Sequence, residues 1–220
     1  IIEIGMPFSD PMADGPSIQE SSVRSIKSGT TINDILEIVN KVRELNNDIP
    51  VILMGYYNTV FNYGIDNFTS KCSEVGVDGL IIVDLQPEED VELYNQAKEK
   101  KINLIRLITP TTDENRLKTI LDNASGFLYY VTITGITGQN SANVENLRSS
   151  IKFVKSLSKL PVIAGFGIKD RTDVENISDF TDGVVVGSSI VNIIKNNLLD
   201  KSIMLNKIDS FTKELKKGIK

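Results

Sequence analysis

Short aliphatic runs alternate along this chain with stretches of helical period, and that alternation leaves few architectures open. The runs fall at Ile1 to Ile4, Val51 to Met54, Val77 to Asp84, Asn103 to Ile108, Phe127 to Val131, Pro161 to Gly165 and Gly183 to Val186. Between them lie helical patterns. Ser17 is placed to cap a helix through Ile18, Val23 and Ile26 that ends at Gly29, and Thr31 to cap another from Ile32 to Leu45. Further helices are expected at Ile65 to Val75, after Pro87 with Glu88 and Glu89 in the first turn, from Asp113, and over Val144 to Leu157; residues 55–63 read as an aromatic loop. Strand then helix at this pace predicts a parallel sheet covered by helices. Because no reversal of order shows, a closed (β/α)8 TIM barrel is favoured over an open sheet. Only seven strands are legible, whereas a closed barrel needs an eighth to avoid two rows of unpaired backbone groups.

Composition narrows the chemistry. The 220 residues suit one large α/β domain with a substantial core, and a net charge of -5 gives no nucleic-acid footprint. The single cysteine, Cys72, excludes an intrachain disulfide framework, makes a cysteine metal site improbable, and fits a reducing, cytoplasmic setting. Histidine is absent, so acid–base work near neutral pH falls to carboxylates, tyrosine or lysine. No apolar run reaches the roughly 18 residues of a membrane span, and no secretory signal is visible.

The first strand carries an anomaly. Ile1 to Ile4 reads as a buried strand, yet Glu3 stands where packing alone would favour another aliphatic residue. A loop punctuated by Pro7, Pro11, Gly15 and Pro16 follows and adds Asp10 and Asp14. Taken singly, Glu3 could be a carboxylate satisfied by backbone amides and the two aspartates could make Asx turns. Taken together, Glu3-Ile-Gly-Met-Pro-Phe-Ser-Asp-Pro-Met-Ala-Asp-Gly-Pro16 resembles the signature of the tryptophan synthase alpha subunit family, with nearly every fixed position filled.

That resemblance runs to the C-terminus and implies an eight-stranded barrel, of which this chain would lack the first β/α unit. The start inside a strand, without methionine, agrees, so residues 1–220 are expected to form a single, N-terminally incomplete barrel domain. The resemblance also implies a lyase that cleaves indole-3-glycerol phosphate into indole and glyceraldehyde 3-phosphate without a cofactor or metal. Glu3 and Asp14 would be its two catalytic acids, and a pyridoxal-phosphate beta subunit its partner.

Two late turns, Gly165-Phe-Gly167 and Gly187-Ser188, follow the last two strands, where barrels commonly hold a phosphate on backbone N–H groups and a helix N-terminus. Glycines also cap helices and tighten turns, so either turn alone is a weak signal; the pair favours a phosphorylated ligand. The family's phosphate turns match Gly165, Phe166, Gly167, Gly187 and Ser188. In the same way Thr137, in the loop Gly135 to Asn143, corresponds to a lid residue meeting Asp14, although a plain surface loop is the alternative. Tyr129 corresponds to a tyrosine near the catalytic glutamate, and Met54, Tyr56, Leu107 and Phe166 to an apolar slot; pattern alone would make them ordinary core. Tyr56, Tyr57, Phe61 and Tyr63 are more aromatic surface than a monomer usually exposes, so they either tuck beneath their loop or meet a partner. The resemblance favours the partner. Another phosphate-binding barrel enzyme and a non-catalytic binding module remain open at this point; a Schiff-base lysine on an inner strand would mark the first, and none lies in the strands drawn here.

Overall fold

The computed structural model describes residues 1–131, 141–165 and 167–219. They form two compact units, Ile1–Arg106 with Thr119–Gly126, and Leu107–Lys118 with Phe127–Lys220. In the first unit the order is β1 (Ile2–Gly5), α1 (Pro16–Lys27), α2 (Ile32–Leu45), β2 (Val51–Gly55), α3 (Tyr57–Tyr63), α4 (Ile65–Val75), β3 (Gly79–Ile82), a 3-10 turn (Pro87–Glu89), α5 (Val91–Glu99) and β4 (Asn103–Leu104). β5 (Arg106–Ile108) and α6 (Glu114–Asp122) each contribute residues to both units. The second unit continues with β6 (Leu128–Val131), α7 (Ser141–Leu157), β7 (Val162–Gly165), α8 (Arg171–Ile177), β8 (Gly183–Val185), α9 (Ser188–Lys195) and α10 (Lys201–Lys216).

Strands β1-β2-β3-β4 form one parallel sheet in sequence order. Strands β5-β6-β7-β8 form the other, with β6, β7 and β8 parallel. The stretch 103–108, expected as one strand, is two, because its hydrogen-bond partners change along it. β4 pairs with β3 and the Ile105 amide still donates to Leu80 at 3.0 Å, while the Leu104 backbone is also held by Ser125. Arg106 then turns its guanidinium to the carboxylate of Asp90 in a buried ion pair, and burial pulls its pKa down to about 10.

Local signals account for most helix ends. Thr31 and Asp34 form a reciprocal capping box on α2, and Gly76 closes α4 in the left-handed region at φ 87°. Three expectations shift. Ser17 is not a cap, because Gly15 takes that place and Pro16 supplies the preset first helical residue. The acidic pair Glu88 and Glu89 makes a separate 3-10 turn ahead of α5. Residues 57–63 are helical rather than loop, since the Asp84 carboxylate accepts the Tyr57 amide at 2.7 Å and starts the turn.

The core of the first unit gathers Leu53, Phe68, Leu80, Leu93 and Leu104, with Ile4 packed against it. This decides what β1 shows. Side chains alternate along a strand, so Ile4 on the core side puts Glu3 on the opposite face. β1 is therefore not the buried strand its composition suggests: Ile2 and Ile4 are half-buried, whereas Glu3 and Gly5 are exposed. In the second unit Leu128, Tyr130, Ile151, Val162, Ala164 and Val174 are buried.

Candidate active site

Glu3 lies opposite Ile52 in the parallel register of β1 and β2, and Gly5 opposite Met54. The pleat therefore places Met54 on the same sheet face as Glu3. Glu3 is accessible to solvent, yet enough protein surrounds its carboxyl to strip part of its hydration. Desolvation, with a smaller contribution from the negative charge of Asp14, raises its pKa from 4.5 to about 7. Among the described residues neither acid has a cationic partner.

The loop after β1 is tied down at several points. The Met6 amide donates to Met54 O at 2.7 Å, and the Asp14 amide to Pro11 O at 3.0 Å. Gln19 of α1 donates to the Asp14 carbonyl at 3.0 Å. Asp14 is half-buried and accepts a 3.1 Å hydrogen bond from the Tyr56 hydroxyl. Desolvation raises its pKa, and the Tyr56 bond opposes that rise in part. Tyr56 itself is 2 % exposed, and burial above all pushes its pKa up to about 12, so it stays a donor across the neutral range. Asp10, by contrast, is exposed and takes a local bond from Ser9 at 2.5 Å.

In the second unit the two glycine turns are brought together. Gly167 sits at φ 64°, and Gly187 caps α9 with no side chain over the first-turn amides and no acid among them. Ser189 Oγ donates to Ile168 O at 3.0 Å and ties the turns to each other. Sequence reasoning had no signal for Ser189 beyond its place in the turn. Gly165 has a packing reason of its own: a Cβ there would stand 2.5 Å from Cε1 of Tyr129. Tyr129 and Leu107 are half-buried, and Leu107 alternates with Arg106 along β5. Phe166 and Thr137 lie outside the described residues, as does most of the expected lid.

Of the four aromatic residues near β2, three tuck in. Tyr56 stacks on Phe8 with ring centroids 5.2 Å apart, Tyr63 meets Phe68 edge-on, and Tyr57 is half-buried. Phe61 remains exposed. Residues missed by the sequence reading include Phe8, Gln19 and Ser22, which act on the acid loop from positions with no periodic signal.

Parallel β/α units with one carboxylate on a strand and a second in the loop that follows it define a (β/α)8-class enzyme suited to proton transfer. The profile described as tryptophan synthase alpha chain matches residues 1–220. The tryptophan synthase alpha chain of Petrotoga mobilis is 45% identical over 216 residues, which cover 98% of this chain and 83% of that protein. The crystal structure of the alpha subunit from Legionella pneumophila aligns over 100% of this chain and 81% of its own, at 35% identity and a TM-score of 0.91. That of the tryptophan synthase complex from Pyrococcus furiosus aligns over 97% and 85%, at 33% identity and a TM-score of 0.86. The chain belongs to the tryptophan synthase alpha chain family, lyases that cleave indole-3-glycerol phosphate to indole and glyceraldehyde 3-phosphate in tryptophan biosynthesis.

Proposed function

We propose that this chain performs that retro-aldol cleavage with Glu3 and Asp14 as its catalytic residues. The reading rests on one observation above the others: Glu3, lifted to about 7 by desolvation and by the charge of Asp14, is populated in both protonation states near neutral pH. Protonated Glu3 delivers its proton to indole C3, while Asp14 accepts a hydrogen bond from the ring N–H and stabilises the charge developing there. The bond from C3 to the side chain then breaks. Its electron pair returns to the ring, the side-chain hydroxyl gives its proton to the Glu3 carboxylate, and the carbinol carbon becomes the aldehyde. Glu3 ends as it began, and the side chains account for every proton without a cofactor.

The phosphate is bound at Gly167, Gly187 and Ser188, with Gly165 beside them; the joined turns and the α9 N-terminus, which no side chain caps, support this. Met54 and Tyr56, in the unit that carries the two acids, border the indole. The whole chain works as one domain, in the cytoplasm as its biosynthetic family implies; among the described residues no helix is long and apolar enough to cross a membrane. Its partner is a pyridoxal-phosphate beta subunit, as a tryptophan synthase complex is known from Pyrococcus furiosus. The Pro7 to Asp14 loop and exposed Phe61 would meet it.

Indole release from indole-3-glycerol phosphate, measured with and without a beta subunit, tests the reading. Release is expected, and it should fall about 10²–10⁴-fold in Glu3→Gln with little change in KM. Near-normal turnover by that variant would remove Glu3 from the chemistry.

A further inference from the structure

Ser22, Phe8 and Tyr56 form a chain of contacts that ends on Asp14. Ser22, on α1, makes two bonds to the backbone of one residue of the acid loop: its Oγ accepts from the Phe8 amide at 2.9 Å and donates to the Phe8 carbonyl at 2.8 Å. This pins Phe8 as a neighbouring strand would. The Phe8 ring then stacks on Tyr56, with planes 27° apart. Tyr56 follows β2 directly, and its hydroxyl accepts from the Ala13 amide at 3.0 Å while donating to Asp14 Oδ2 at 3.1 Å.

We propose that Ser22 and Tyr56 are positioning residues for Asp14, Ser22 fixing the Phe8 peptide against α1 and Tyr56 fixing one carboxylate oxygen so that the other is left for the substrate. The inference rests on the reading that Asp14 meets the indole N–H. Its physical content is pre-organisation. Asp14 sits in a loop of proline, glycine and exposed residues, where an untethered carboxylate would sample several rotamers and lose aim by an ångström or more. The clamp draws on a sheet end and a helix, the two rigid supports flanking the loop. Tyr56 reaches the loop from 42 residues further along the chain, so it sets a register that the loop's own sequence does not.

The test compares Tyr56→Phe, Ser22→Ala, Ser22→Thr and Asp14→Asn. Tyr56→Phe keeps the stacked ring and removes only the hydroxyl. Steady-state cleavage is measured across pH, thermal midpoints report folding, and ¹³C NMR follows the Asp14 carboxyl, assigned by its loss in Asp14→Asn. Tyr56→Phe should lower kcat roughly tenfold, the order expected for one hydrogen bond to a charged group, with a smaller change in KM. The Asp14 titration should move to higher pH, because the bond removed is one that favours the carboxylate. Ser22→Ala should move both readouts in the same direction by less, and Ser22→Thr, which retains a hydroxyl, should restore them.

Folded variants with unchanged kcat and unchanged Asp14 titration would overturn the proposal. A Ser22→Ala protein with a lower thermal midpoint but an unmoved Asp14 titration would reduce Ser22 to a structural contact. Full cleavage by Asp14→Asn would instead overturn the reading of Asp14 as a substrate contact, and the titration shift, which needs no turnover, would still judge the clamp.

Discussion

Two pairs of acids occupy opposite ends of the strands and live by opposite rules. Asp78 and Asp182 each precede a strand, β3 and β8, and each clamps the first residue of the strand before it. Asp78 accepts the Val51 amide at 2.7 Å and returns its own amide to Val51 O at 2.9 Å; Asp182 does the same with Val162 at the same two distances. Each also has a cation, Arg43 for Asp78 and Lys155 for Asp182. At Asp182 desolvation pushes the pKa up, yet the Val162 amide and Lys155 together outweigh it and hold the group below its ordinary range. Among the described residues Glu3 and Asp14 have no such cation, and desolvation raises both. An acid paired with a cation serves stability, whereas one without it is available for protons.

Glu3→Gln is the sharpest attack on that contrast. Besides the loss of turnover, it should leave the protein at least as stable as the parent at pH 8 in urea unfolding. The sign follows from linkage. Glu3 is raised from 4.5 to about 7, so the proton it binds contributes stability below 4.5 that is lost as pH rises through 7. Glutamine removes the ionised form, so its advantage should vanish in acid. A glutamine variant less stable at pH 8 would show that Glu3 has a structural partner after all.

Next in size is Asp78→Ala, expected to cost about 1–3 kcal/mol of unfolding free energy because it orphans the Val51 amide and removes the anion that faces Arg43. Arg43 also donates to Gly76 O at 2.9 Å and Ile49 O at 2.6 Å, so the clamp loses its centre but not its rim. Asp182→Ala should cost less, about 1 kcal/mol, since its cation, Lys155, is 34% exposed against 14% for Arg43, and so is better screened by solvent. Its cost should shrink as pH falls through the folded-state pKa, opposite in sign to the Glu3 effect. Equal costs at 78 and 182 would mean that the backbone bonds alone do the work. The smallest effect belongs to Phe61→Ser. Being 61% exposed, Phe61 should change stability by no more than about 0.5 kcal/mol, while the affinity for a beta subunit, measured by calorimetry, should drop.

The sequence made the order of strands and helices readable because aliphatic runs and capping signals are local: Thr31, Gly76 and Gly187 lie within a few residues of the ends they define. It also pointed to Glu3, since a lone acid breaks an apolar run. What it hid depends on distant partners. Residues 57–63 look like a loop until Asp84 arrives to start a helix. The run 103–108 looks continuous until its neighbours differ on the two sides of Ile105. Tyr56 looks like an apolar lining residue, and only its reach across 42 positions reveals the bond to Asp14. Gly165 looks like a phosphate turn alone, while the Tyr129 ring independently forbids any side chain there.

The Asp84 contact also bears on how such a chain can be recombined. A helix that begins after β2 takes its starting hydrogen bond from a residue beyond β3, and Asp78 and Asp182 likewise reach back one strand. Successive modules thus overlap like roof tiles. A chimera joined between single strand–helix modules would strip each graft of the carboxylate its predecessor needs, so viable crossovers should carry consecutive modules together.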